Sequence, residues 1–324
     1  MGVAGEGRIK KLASQVGTEH IPGIVKDLKT APQDGKEKCA HLLDVLTSSL
    51  ADGIPAMVRA GAVAPLVGML ASGTDGGQIH AASALASIAA ARHDFAATIV
   101  SAGAVAPLVA LVRSGSAKAQ MHASAALAAL SEDRTQQWPI IKAGAILPLV
   151  RLLRLGIDDV KIHAALCIAN ISAAHSEAQH AIHAAGATPL LLSMLQSGKS
   201  QMSAALALAK LLSPEIGSGH ANFEIQEAIA SEGGIAPLLA LLNGVNLPAQ
   251  VQAAAALSHL ARGNERTQTL IARAGGISPL LAMLNSRSAE ARACGAAALS
   301  ALTCAHIENQ VSAPPCPFLP LPPP

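Results

Sequence analysis

The sequence predicts an all-α chain built as a solenoid of about seven three-helix repeats, and three observations carry that expectation. The first is a recurring segment. Gly103 to Gly115 reads GAVAPLVALVRSG and runs on into an alanine-rich stretch ending at Leu130. Gly61 to Gly73, Gly144 to Gly156, Gly186 to Gly198 and Gly234 to Gly244 repeat it, Gly276 opens another copy, and Ile21 to Leu28 is a degenerate one. The second is its period. The prolines Pro22, Pro65, Pro107, Pro148, Pro189, Pro237 and Pro279 mark one register, with gaps of 43, 42, 41, 41, 48 and 42 residues. Periods of this length are the mark of stacked repeats, in which each unit packs only on its neighbours. The third is composition: 51% of residues are hydrophobic but only 1% aromatic, with no tyrosine. Such a core has to be made of small aliphatic side chains on closely spaced helices.

Residues 1–16, with Arg8, Lys10 and Lys11, read as a flexible lead-in. Residues 17–311 read as the repeat array. Within a repeat, a short first helix such as Gln136 to Ala143 stops at a glycine such as Gly144, which can take the left-handed conformation after a helix end. The second helix is expected to start at the proline, whose missing N–H costs nothing there. Its apolar residues, for example Leu149, Val150, Leu152 and Leu153, form a stripe of helical period. Turns such as Ser72-Gly73, Ser114-Gly115 and Ser197-Gly198 lead into a long alanine-rich third helix, for example Val160 to Ala173. The 48-residue gap reflects an insertion near 212–222, rich in Pro, Gly and Ser, a loop of the kind that often carries contacts. Residues 305–311 resemble the start of another first helix, and 312–324 form a proline-rich tail, SAPPCPFLPLPPP.

The formal net charge is +2, without a basic block or stacking aromatics, so nucleic acid is not expected as a partner. No stretch is apolar enough for a transmembrane span, the N-terminus lacks a secretory h-region, and Glu6 stands where a myristoylation motif wants Ser or Thr, so no direct membrane insertion is expected. Cys39, Cys167, Cys294, Cys304 and Cys316 show no paired spacing, and Cys39, Cys167 and Cys304 fall at apolar positions where buried, reduced thiols are expected. That suits a reducing compartment, the cytosol or nucleus. No nucleophile elbow, P-loop, metal-binding H-E-x-x-H or dinucleotide fingerprint occurs, so the chain is expected not to be an enzyme and to need no cofactor. His180 and His183 can share a helix face but lack a carboxylate or cysteine at ligand spacing, so no metal site is expected.

The pattern Ala-Gly-Ala-Val-x-Pro-Leu-Val-x-Leu-Leu-x-Ser-Gly, followed by an alanine/leucine helix, resembles the armadillo repeat family from about Gly17 to Val311. In repeat style it looks closest to vacuolar armadillo proteins and to the armadillo regions of plant U-box proteins, although no U-box precedes it. The resemblance implies a right-handed superhelix whose third helices line a concave groove for extended peptides or partner proteins. In import adaptors of that family an asparagine near the end of the third helix, and a tryptophan four residues before it, grip the peptide. The matching asparagine positions here are Asp44, Ser87, Ala129, Asn170, Lys210, His259 and Ala301. The tryptophan positions are Ala40, Ser83, Ala125, Leu166, Leu206, Ala255 and Ala297. Only Asn170 matches, so the import-adaptor mechanism is not expected to transfer.

Seven residues before the asparagine position, on the same helical face, stand Glu37, His80, His122, His163, Ser203, Gln252 and Cys294. Three consecutive repeats place histidine there. One zinc ion needs ligand nitrogens about 2 Å away, whereas packed helices repeat at about 8–10 Å, so the three do not share a metal. They read instead as a ladder that bonds an acidic or polar partner more tightly when protonated. The resulting expectation is a non-enzymatic scaffold holding a protein or extended peptide over Glu37, Asp44, His80, Ser83, Ser87, His122, His163, Asn170, Lys210, Gln252 and His259. The alternatives are a nuclear transport adaptor for basic peptides and a vacuole- or membrane-associated tethering adaptor. Pro317 to Pro320 adds a P-x-x-P match that an SH3- or WW-type domain can read.

Overall fold

A computed structural model describes residues 13, 16–50, 52–173, 175–196, 198–214 and 222–304. The lead-in, most of the insertion, the helix start at 305–311 and the proline-rich tail with its P-x-x-P match lie outside the described residues. Among the described residues every regular element is a helix. The chain forms two compact units, Met1–Ile171 and Ser172–Pro324.

In the first unit a short 3-10 turn, Thr18–His20, leads into a helix pair, Ile21–Thr30 and Gln33–Ser49. Three helix triplets follow: Gly53–Arg59, Val63–Ser72 and Asp75–Ala91; His93–Ser101, Val105–Ser114 and Ala117–Glu132; Arg134–Lys142, Ile146–Leu155 and Asp158–Ser172. The third helices Gln33–Ser49, Asp75–Ala91 and Ala117–Glu132 pack in sequence against one another, and Ile21–Thr30, Val63–Ser72 and Val105–Ser114 each pack on the third helix of their own repeat. The second unit repeats the plan with Ser176–Ala184, Ala187–Met194 and Gln201–Leu211; Phe223–Ser231, Ile235–Leu242 and Leu247–Ala261; Glu265–Arg273, Ile277–Leu284 and Ala289–Thr303.

Alanine makes the third helices stack closely. Ala81, Ala82, Ala84, Ala123 and Ala126 are wholly buried, where a longer side chain would push the helices apart. The residue after the repeat proline supplies the second-helix core: Leu66, Leu108, Leu149, Leu238 and Leu280 have no exposed surface. Each such leucine contributes about 1.5–3 kcal/mol through burial.

One local expectation needs correction. The second helices do not begin at the proline. They start two residues earlier, at Val63, Val105, Ile146, Ala187, Ile235 and Ile277, so the proline is the third helical residue. The N–H groups of the whole first turn lack intrahelical acceptors, so a missing donor there costs as little as at the first position. The left-handed glycine after the first helix is found as expected, with Gly144 at φ +74° and Gly233 and Gly275 at the same distance from the repeat proline in the last two repeats. A positive φ is strained for any residue with a Cβ, which is why glycine recurs at this junction.

The cysteine expectation holds in part. Cys167 is buried, and burial pushes its thiol up to about 12. Cys39 is half-buried and Cys304 is exposed, because Cys304 caps the end of the last described helix and does not sit on its inner face. Among the described residues no single helix is long and apolar enough to cross a membrane, while three bent helix pairs meet that length and composition only across breaks of 82° to 86°.

Candidate functional site

The columns singled out in the sequence occupy one stripe along each third helix. His80, Ser83 and Ser87 on Asp75–Ala91, His122, Ala125 and Ala129 on Ala117–Glu132, and His163, Leu166 and Asn170 on Asp158–Ser172 are all half-buried. Their flanks are core, as with Ala81, Ala84 and Leu85. The stripe is therefore open enough to touch a partner and too crowded to swing freely. In the second unit Gln252, Ala255 and His259 repeat the pattern on Leu247–Ala261, whereas Lys210 is exposed and Ser203 is buried, donating to the Ser200 carbonyl.

Several of these groups are committed within the protein. His80 Nδ1 lies 2.9 Å from Asp44 Oδ2, and the His80 ring stacks on His41 with centroids 3.8 Å apart. Glu37 accepts the hydroxyl proton of Thr74, whose oxygen in turn caps Asp75–Ala91 by accepting from Gly77 N–H. In the next repeat Ser116 donates to Asp75 Oδ1 at 2.8 Å and accepts from Ala119 N–H at 3.3 Å. Asn170 turns its amide inward, donating to the Ala128 carbonyl at 3.3 Å and Ser131 Oγ at 3.0 Å. The asparagine that matched the adaptor pattern thus ties its helix to the preceding third helix. The structure pairs His80 with Asp44, while His122 and His163 stay separate rungs.

Burial holds the His122 imidazole below its ordinary value; Asp44 pulls it the other way, and His80, His163 and Lys118 add to the depression. Burial also lowers His163, against the pull of Asp159. His259 is pushed to about 4 by burial and by the nearby Arg262 and Lys210 cations, and its Nδ1 is buried without a hydrogen-bonding partner among the described residues. All three rings are therefore neutral at pH 7, able to donate one hydrogen bond and accept one.

A second column escaped the sequence reading. Gln137, Gln179, Gln226 and Gln268 are buried at equivalent places in the first helices, each no more than 5% exposed. Gln137 donates to the Ser131 carbonyl; Gln179 to those of Ser172, Lys210 and Ser213; Gln226 to His259 and Arg262; Gln268 to Ala261, Ala301 and Cys304. These amides satisfy carbonyls that a helix end leaves open, and so fix where each third helix stops. The signal was available, since three of the four stand eleven residues before the repeat proline. His41 was also missed, because only the fold brings its ring against His80.

The fourth repeat breaks a different column. Thr74, Ser116, Asn246 and Ser288 lie nine residues after the repeat proline and cap their third helices through the side chain. Ile157 holds that place before Asp158–Ser172. Losing such a cap costs about 0.5–2 kcal/mol, of which Asp158 and Asp159 in the first turn recover part through the helix dipole. Among the described residues no three His, Cys, Asp or Glu side chains converge to hold a metal ion.

Consecutive three-helix repeats, stacked through alanine-rich third helices that carry a half-buried polar stripe, define an α-helical repeat protein. The family model described as Armadillo/beta-catenin-like repeat matches residues 222–262, one full triplet. A crystal structure of an engineered protein superposes with a TM-score of 0.77 at 31% identity, covering 92% of this chain and 71% of that one. A designed armadillo repeat protein gives 0.55 at 26% identity, covering 87% of this chain and 99% of that one. Computationally designed armadillo repeat proteins for modular peptide recognition give 0.54 at 25% identity, with the same coverage. No curated protein matches the chain in sequence. The chain belongs to the armadillo repeat family.

Proposed function

We propose that this protein is a non-enzymatic scaffold that holds an extended segment of a partner protein across its third helices. The observation that carries the reading is the half-buried stripe of hydrogen-bonding groups on consecutive third helices, His80, Ser83, Ser87 and His122 among them. Packed helices stand about 8–10 Å apart and an extended chain advances about 3.3 Å per residue, so about three peptide residues span one repeat. The designed armadillo proteins described as made for modular peptide recognition support the same use of the fold.

Neutral His122 and His163 accept or donate to a polar peptide at pH 7. As pH falls below 6.5 they gain charge, later than a free imidazole because burial lowers them, and then favour a carboxylate partner. The test is selection from a display library of random unstructured peptides at pH 7.5 and pH 6. Enriched peptides should lose about tenfold or more in affinity for the His122→Ala, His163→Ala double variant, and those selected at pH 6 should be richer in Asp and Glu. Unchanged affinity for the double variant would contradict the reading.

A further inference from the structure

The outer face of the second helix in the fourth repeat differs from its counterparts, and the third-helix site makes no use of it. Leu147, Leu155 and Ile157 are 71%, 66% and 59% exposed. Counted from the repeat proline, the two preceding repeats place Ala64 and Ala106 where Leu147 stands, and Ser72 and Ser114 where Leu155 stands. Ile157 is in the capping position: its carbonyl accepts from Lys161 N–H at 3.0 Å, as Thr74 and Ser116 accept from Gln78 and Gln120, but its side chain offers no acceptor. Three positions that are small or polar in those repeats are large, apolar and in water in this one. Concentrated exposed apolar surface of this kind marks an interaction site.

The second helices around it carry positive charge only, and the opposite sign enters at one edge, with Asp158 and Asp159 beside Ile157. Residues 147, 151, 154 and 155 share an arc of about 100° on the helix, which places exposed Arg151 and Arg154 among the leucines. Arg113, also exposed, holds the register of Arg154 on Val105–Ser114, which packs against Ile146–Leu155. The second helices Val63–Ser72, Val105–Ser114 and Ile146–Leu155 carry no Asp or Glu.

We propose that this face docks an acidic amphipathic helix of a partner protein, its apolar residues on Leu147, Leu155 and Ile157 and its carboxylates on the three arginines. A second copy of this chain is a poorer occupant, because it brings three more arginines to the contact and only Asp158 and Asp159 to oppose them. An anionic bilayer is poorer too, because a flat surface meets the exposed Asp158 and Asp159 at the patch edge together with the arginines, whereas a helix can set its carboxylates on the arginines alone.

The test uses the full chain and a fluorescein-labelled helical peptide of about 18 residues, with Leu on one face and Glu beside it, against the same peptide with Lys for Glu. The Glu peptide should bind, and the Lys peptide should bind about tenfold or more weaker. Leu155→Ser, and separately Arg151→Glu with Arg154→Glu, should weaken the Glu peptide by a similar factor. Ile157→Ser should weaken binding while raising the thermal midpoint, so that lost binding is not lost folding. His122→Ala with His163→Ala should leave this peptide unaffected. The proposal is overturned if the Glu peptide does not bind, if the Lys peptide binds equally, or if the histidine variants weaken it as much as the arginine variants. It is equally overturned if the patch variants instead abolish binding to phosphatidylserine vesicles, or a dimer seen in sedimentation.

Discussion

His259 sets the clearest pH dependence at the scale of a single residue. Its folded value, about 4, lies below the ordinary 6.5, so between those limits the unfolded chain binds the proton more readily. Stability from this residue is therefore fully present above pH 6.5 and is lost as pH falls toward 4. Denaturation midpoints measured from pH 7.5 to 4.5 should fall less in His259→Leu than in wild type, and parallel curves would remove His259 as a cause. Gln226 makes a separate prediction. Its amide donates to the His259 and Arg262 carbonyls from a fully buried position, so Gln226→Leu should cost about 1–3 kcal/mol in urea unfolding by stranding those carbonyls. At Ile157 the expected sign reverses: Ile157→Ser restores a cap and should add about 1 kcal/mol in the same measurement. Cys167 and Cys304 differ in access, so a thiol reagent at pH 8 should label Cys304 in the native protein and leave Cys167 untouched until unfolding, as peptide mass mapping would read.

Single helices show what the sequence made legible and what it hid. Second helices were readable because proline, a leucine stripe and glycine recur at fixed offsets, and their starts were misplaced by two residues because any of the first three helical positions tolerates proline. Third helices were readable from alanine, and the half-buried stripe fell where the i, i+3, i+7 spacing put it. The partners of those residues were not readable. That Asp44 meets His80, that Asn170 turns toward Ser131, and that Glu37 braces the Thr74 cap all depend on how neighbouring helices are offset along their axes. Helical periodicity within one element carries no information on that offset. The glutamine and capping columns were legible by alignment to the proline, and they needed only the question of which group satisfies each helix end.

At the scale of the molecule, two compact units each present third helices packed in sequence, and every short-range device found serves that stacking. Alanine sets the approach, buried glutamines fix the helix ends, and Thr74, Ser116, Asn246 and Ser288 start the helices at one register. A surface assembled this way repeats a polar contact from one third helix to the next, as the proposed hold on an extended peptide requires. The most direct measurement is photo-crosslinking of a selected peptide carrying benzoylphenylalanine at each position in turn, with adducts mapped by mass spectrometry. The account predicts adducts near Asp44, Ser87 and Ala129, moving from one third helix to the next about every three peptide residues. Adducts confined to first or second helices, or scattered without that progression, would contradict it.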